Sequence, residues 1–395
     1  LTREEVHESS NFNSFVNFLN GRKNISLVLS ANLTIGGAAT GDDSSISAAT
    51  SSWENLKREL TRRIVRGNPF DNRGVGGIVS TYSLVYTTIG AYEGGVLAPN
   101  GDIHFVPGDA NRGQKISESG VVSTYSLIYT AATAYRGGVL APNGDIHFVP
   151  DTANRGQKVS ASGVVSTYSL VYTAATAYYG GVLAPNGDIH FVPFMANRGQ
   201  KVSAAGVVST YSLVSTSSSG AYRGGVLAPN GDIHFAPSSA NRGQKISING
   251  VVSTYSLVNS AASNYAGAVL APNGDIHFIP LGGSVGQKIS IDGVVSTYSI
   301  IHTFAGGAYA SGVLAPNGDI HFVPNSARVG QKVSASGVVS TYSLVYTTGI
   351  AYNSGVLAPN GDIHFIPKFS GIGQKISTGI NVPIGHCVSP FFNKL

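Results

Sequence analysis

The sequence contains one cysteine (Cys387), one tryptophan and one methionine, and charged side chains make up only 11% of its 395 residues. A single cysteine excludes an intramolecular disulfide and a cysteine-built zinc site, and Cys387 reads as a buried tail thiol. No run of about 18 apolar residues occurs, so nothing reads as a membrane-spanning helix. The first residues, LTREEVHESS, are too polar for a signal peptide. The only methionine is Met195 and the chain begins at Leu1, from which a processed start or further upstream residues are expected. The net charge of +5 is spread along the chain without basic runs, which gives no footing for nucleic acid.

What is abundant is glycine, 50 residues of it, together with Ser, Thr, Val and Tyr, the composition of a β-rich chain with many turns. The segment VLAPNGDIHF recurs with its aspartate at positions 102, 145, 188, 232, 275, 319 and 362, a period of 43 or 44 residues. STYS and GQK recur with it, seven times each, so seven units fill residues 75–378. Each unit divides into four strand-like segments, VVSTYSLVY, GGVLAP, DIHFVP and GQKVS, separated by turn signals such as Pro-Asn-Gly and Asn249-Gly250. Four antiparallel strands per unit predict an all-β, seven-bladed propeller. An open solenoid would need distinct capping units, and the terminal units here look like the middle ones.

Small residues suit the crowded axis, which assigns GGVLAP to the innermost strand and VVSTYSLVY to the outermost. The first outer strand, around residues 77–87, then has no blade of its own and must complete the last unit, closing the ring. In length and strand order the units resemble kelch and WD40 blades, without the double-glycine-plus-Trp pattern of the former or the Trp-Asp pair of the latter. The VLAPNGDIHFVP core resembles a repeat of propeller proteins from viruses and some microbes.

The spacing from the repeat aspartate to the next STYS tyrosine is always 23 residues, whereas the spacing from that tyrosine to the next aspartate is 20 or 21. Length therefore varies between the outer strand and the next inner strand. Sequence varies most between DIHFVP and GQK, in the segments GDANR, DTANR, FMANR, SSANR, LGGSV, NSARV and KFSGI. In a meander both loop types emerge at one end, so one face of the disk is variable and is the expected binding face.

Asp102 and His104 stand two apart on one strand and share a face, as do Asp145 and His147, Asp188 and His190, Asp232 and His234, Asp275 and His277, Asp319 and His321, and Asp362 and His364. Seven copies argue for a structural role, a blade-to-blade polar network of the kind WD40 blades carry, rather than for catalysis or metal binding. A tyrosine lies ten residues before each aspartate (Tyr92, Tyr135, Tyr178, Tyr222, Tyr265, Tyr309, Tyr352), and an arginine precedes GQK in four units (Arg112, Arg155, Arg198, Arg242). Tyrosine with arginine suits sugars or an acidic partner, against the plainer readings of a wedge between inner strands and a solvated rim.

Residues 1–74 read as a small α+β assembly arm. A capping box at Thr2 and Glu5, the stripe Phe12, Phe15, Val16 and Leu19, and a second helix from Trp53 to Arg66 carry that reading. Residues 379–395 form a tail with the aromatic pair Phe391 and Phe392. No phosphate loop, nucleophile elbow or metal helix is present. These readings and the viral resemblance lead to the expectation of a non-enzymatic structural protein of a virion, a head or tail decoration or fibre-associated component, with no cofactor. Its expected partners are other structural proteins, reached through the arm and tail, with no nucleic acid and no membrane span. The alternative is a secreted lectin holding glycans on the variable face. An enzyme using the central tunnel is the third reading. It requires one blade to break the pattern with unique acids or histidines near the axis, and of the non-repeat histidines His7, His302 and His386 only His302 falls within the blades.

Overall fold

The computed structural model describes residues 77–304, 306–347 and 349–378. The arm expected over residues 1–74 and the tail over 379–395 lie outside the described residues. Within them the chain forms seven four-stranded antiparallel sheets, and the strands run β1 to β28 in chain order.

The first blade shows how the sequence makes each one. Its strands are β2 (Tyr92–Leu97), β3 (Ile103–Pro107), β4 (Arg112–Ile116) and β5 (Val122–Ser126), in the sheet order β2-β3-β4-β5. Between β2 and β3 the chain turns at Gly101, whose φ of 85° is left-handed and favours glycine. Asn100 secures that turn by accepting the Asp102 N–H at 3.1 Å. Between β4 and β5 the Ser117 hydroxyl accepts the Val121 N–H at 3.0 Å. Blades two to six repeat this plan over residues 135–169, 178–212, 222–256, 265–299 and 309–343.

The seventh blade is built as the sequence predicts. Strands β26 (Tyr352–Leu357), β27 (Asp362–Pro367) and β28 (Ile372–Ser377) are completed on the outside by β1 (Ile78–Ser83), in the order β1-β28-β27-β26. Ile78 lies opposite Ser377 and Ser83 opposite Ile372. The hydrogen bonds that close the ring therefore come from opposite ends of the described chain.

The core sits between blades. Val96 and Val106 of the first blade pack with Tyr135, Ile146 and Phe148 of the second, all of them buried. Burying each such side chain contributes about 1.5–3 kcal/mol. Near the axis the sheets approach so closely that a Cβ on Gly138 would stand 2.5 Å from Val96 Cγ2 and 2.9 Å from Val106 Cγ2, so any side chain there would have to displace those valines.

The Asp and His residues do form a structural network, but its geography corrects the expectation, because the bonds run within blades and not between them. Each aspartate meets the lysine of its own GQK strand, Asp102 with Lys115 at 2.6 Å and Asp145 with Lys158 at 2.7 Å, and the other five likewise. His104 Nδ1 lies 3.2 Å from the Tyr125 hydroxyl, a contact repeated in blades two to six. In the seventh blade the rings of Tyr82 and His364 pack edge to face at 5.4 Å. A repeated polar link between blades is the buried glutamine of GQK. Gln114 Oε1 accepts the N–H groups of Val85 and Tyr86 at 3.1 and 2.8 Å, on the chain entering the first blade from β1.

Burial beside lysine holds the imidazoles of His104, His190, His234, His277 and His321 down at about 4, against the pull of the neighbouring aspartates. His364 is likewise lowered to about 4 by burial. These side chains are neutral spacers in the sheet.

Candidate active site

The seven repeat tyrosines are not on the variable face. Tyr92, Tyr135, Tyr178, Tyr222, Tyr265, Tyr309 and Tyr352 are at most 1% exposed. Their hydroxyls donate to the backbone carbonyls of Arg112, Arg155, Arg198, Arg242, Val285, Val329 and Ile372 at 3.1–3.4 Å. The binding role expected of them is corrected on this ground, because a ring with no exposed surface cannot meet a ligand. Arg112, Arg155, Arg198 and Arg242 are exposed. The first three lay their guanidinium groups over Tyr86, Tyr129 and Tyr172 at 5.2–5.3 Å.

The residue after each of those tyrosines behaves differently. Tyr92 lies opposite Pro107 and Gly94 opposite Val106, which leaves Glu93 as a bulged residue without a partner across the ladder. The same irregularity recurs in all seven blades. A bulge re-aims the side chain it carries. Around the ring the bulged residues are Glu93, Arg136, Tyr179, Arg223, Ala266, Ala310 and Asn353. All seven line the central channel, above a floor of paired glycines such as Gly137 and Gly138.

A second set meets them from the loop after each repeat proline: Gly108, Asp151, Phe194, Ser238, Leu281, Asn325 and Lys368. Backbone bonds tie these loops to the chain entering the inner strands, as in Gly108 N–H to Ala91 O at 2.8 Å. Both variable segments therefore emerge at the same end, as their spacing predicts. Arg136, Tyr179, Arg223, Asn325, Asn353 and Lys368 line a cavity of about 390 Å³ at this end of the channel.

The charged members pair across blades and within them. Lys368 Nζ lies 2.9 Å from Glu93 Oε1, joining the seventh blade to the first. Asn353 Nδ2 donates to Glu93 Oε2 at 2.9 Å and to the Glu93 carbonyl at 2.8 Å. In the second blade Arg136 Nε donates to Asp151 Oδ2 at 2.5 Å. The Asp151 side chain has no exposed area and its Oδ1 has no partner. Burial pushes this carboxyl up to about 6 even with Arg136 beside it, and Glu93 adds to the rise. Desolvation outweighs the ion pair because only one of the two oxygens is satisfied. Between Arg136 and Arg223 stands Tyr179, its centroid 4.9 Å from one guanidinium and 5.4 Å from the other.

Chemically the mouth offers three cations, one phenol and two amides in a walled space, with Glu93 lining the channel beneath and Asp151 buried behind Arg136, which suffices to orient a small polar molecule. Sequence reasoning missed Glu93, Arg136, Asp151, Arg223 and Lys368, because fixed spacing drew it to the buried tyrosine just before each bulge. The signal was available in a comparison of the seven units column by column. The column after the tyrosine and the column after the proline are where acids, bases and small residues alternate. His302 lies elsewhere, in a cavity with Phe304 and Arg328 near the outer end of the sheets.

No protein-family model matches the chain, and no curated protein does. Among solved structures it is similar to a streptogramin B lyase, with 21% identity over 76% of this chain and 97% of that one, at a TM-score of 0.67. It is similar also to virginiamycin B lyase from Staphylococcus aureus, with 18% identity over 76% of this chain and 99% of that one, at a TM-score of 0.67. A catalytically inactive variant of that lyase with quinupristin gives 19% identity over 76% and 99% of the two chains, at a TM-score of 0.65. At these identities the likeness is one of fold. The propellers it brings forward are lyases rather than kelch or WD40 proteins. These similar propellers are enzymes, which runs against the expectation of a non-enzymatic virion component or lectin. Of the acids an enzyme would need near the axis, Glu93 of the first blade lines the channel, while Asp151 of the second stands buried behind Arg136.

Proposed function

We propose that this propeller is an enzyme that moves a proton on a small polar substrate at the mouth of its central channel. The observation that carries the proposal is the paired charged set Glu93–Lys368 and Asp151–Arg136, placed where an otherwise repetitive ring is unique. Glu93, which lines the channel, is the base; Lys368 and Asn353 engage its two carboxylate oxygens, so the substrate displaces one of them before a proton passes to it from carbon. The electron pair left on the substrate develops negative charge, which the Lys368 ammonium and the Arg136 guanidinium stabilise. Asp151 is a positioning residue, holding Arg136 from behind. The lyases among the structural neighbours support the reaction class. Their streptogramin substrates are not carried over, because the likeness is one of fold.

Proton abstraction can be read without knowing the leaving group. The full chain is incubated in heavy water with a panel of small carbon acids, and deuterium incorporation or product formation is followed by mass spectrometry. Wild type is expected to label or convert at least one compound, and Glu93→Gln to slow that reaction by about a hundredfold or more. No labelling and no turnover across the panel contradicts the proposal, as does a Glu93→Gln chain as fast as wild type.

A further inference from the structure

Blades two and four carry the same arginine at the bulge, and what faces it differs. In blade two Asp151 follows Pro150 and accepts from Arg136 Nε. In blade four Ser238 follows Pro237 at the same register. Tyr222 lies opposite Pro237 and Gly224 opposite Ala236, as Tyr135 lies opposite Pro150 and Gly137 opposite Val149. The backbone is thus the same, and a hydroxyl stands in place of a carboxylate.

The consequence is a guanidinium without a counter-charge. Among the described residues no carboxylate pairs with Arg223, whose charge instead rests 5.4 Å from the ring centroids of Tyr179 and Phe194. Its Nε is buried with no hydrogen-bond partner, and so is the hydroxyl of Ser238, a residue only 2% exposed. Buried polar atoms of this kind are costly unless an acceptor arrives. Arg223 also lines both the cavity and the channel beneath it, whereas Ser238 lines neither, so the guanidinium is the group a ligand can reach.

We propose that Arg223 forms an anion subsite for the carboxylate of a small organic acid. The carboxylate accepts from the terminal N–H groups of Arg223, whose side chain lines the cavity, and Ser238 in the place of Asp151 is what leaves that charge uncompensated. A monoanion matches the mouth, where three cations face two carboxylates. Ala266, Leu281 and Ala310, on the two following blades, give the organic remainder an apolar wall. The inference rests on the mouth being the ligand site and names what that site takes.

The test is calorimetric titration of the full chain with benzoate and with acetate. Ser238→Asp places a carboxylate in blade four where blade two already has one, so it is expected to engage Arg223 internally and to weaken benzoate binding by about tenfold or more. Arg223→Gln is expected to do the same, while Arg155→Gln, on the outer part of the variable face, leaves affinity within about twofold. A wild-type chain that binds neither probe, or Ser238→Asp and Arg223→Gln chains that bind as wild type does, overturns the subsite. Deuterium exchange separates this from the enzyme reading: exchange without benzoate binding sinks only the subsite, and benzoate binding lost in Ser238→Asp without any exchange sinks only the catalysis.

Discussion

Gln200 does at one residue what the repeat needs done between blades. Its Oε1 accepts the N–H groups of Val171 and Tyr172 at 3.0 and 2.7 Å, fixing the chain that arrives from the neighbouring outer strand. Gln200→Ala leaves both donors without a protein acceptor and is expected to cost about 2 kcal/mol, read as a lower denaturation midpoint at unchanged slope. An unchanged midpoint would mean that water replaces the glutamine. Asp151 makes an opposite kind of prediction. Its carboxyl is raised from 3.8 to about 6 in the folded chain, so between those values the folded state holds more protons than the unfolded one. That group's contribution to stability is present below 3.8 and is lost as the pH rises through 6. Asp151→Asn should therefore flatten the stability profile over this interval, a difference visible in paired denaturation curves from pH 4 to pH 7.

At the scale of elements the fold was largely legible. The four segments per unit, the Pro-Asn-Gly turn, the small-residue inner strand and the completion of the last blade by the first strand all follow from period and composition, because a sheet's register and turns are local rules. The mouth was not legible in the same way. The Tyr92–Gly94 bulge has no fixed residue of its own, since Glu, Arg, Tyr, Ala and Asn all occupy that position, and only the resolved register shows that they turn toward one channel. The partners of the repeat aspartates were missed for a related reason. Lys115 is not close to Asp102 in sequence, yet His104 and Lys115 are cross-strand partners. Closure supplies the prediction for this scale. Deleting residues 76–88 removes β1 and exposes the edge of β28, so the shortened chain should self-associate and lose its sharp unfolding transition in scattering and calorimetry. A monomer that melts as cooperatively as wild type would show that β1 is dispensable.

For the whole molecule, seven equal blades multiply small effects. Six of the repeat histidines are held at about 4 against an ordinary value of 6.5. Between these values the unfolded chain binds more protons than the folded one, so stability falls as the pH drops through this window. Asp145, Asp188, Asp232 and Asp275 add to the loss at lower pH. Burial raises their carboxyls, but the lysine ion pairs and the accompanying hydrogen bonds outweigh it and hold them below the ordinary value. Unfolding at pH 5 should accordingly take up about five protons from the histidines. Calorimetry in buffers of different ionisation enthalpy measures this directly, and an uptake near zero would mean that the imidazoles are charged in the fold.

Repetition makes the propeller, and departure from repetition makes its site. The measurement that tests this most directly is made on a chain whose mouth is returned to the pattern of blade five, where Ala266 and Leu281 stand. The substitutions are Glu93→Ala, Arg136→Ala, Arg223→Ala, Asp151→Leu and Lys368→Leu. With two ion pairs removed whole and the unpaired Arg223 charge removed beside them, this chain should keep the cooperative unfolding of wild type and lose all deuterium exchange and turnover. Exchange at the wild-type rate in the symmetrised chain would place the chemistry elsewhere on the propeller and contradict the account.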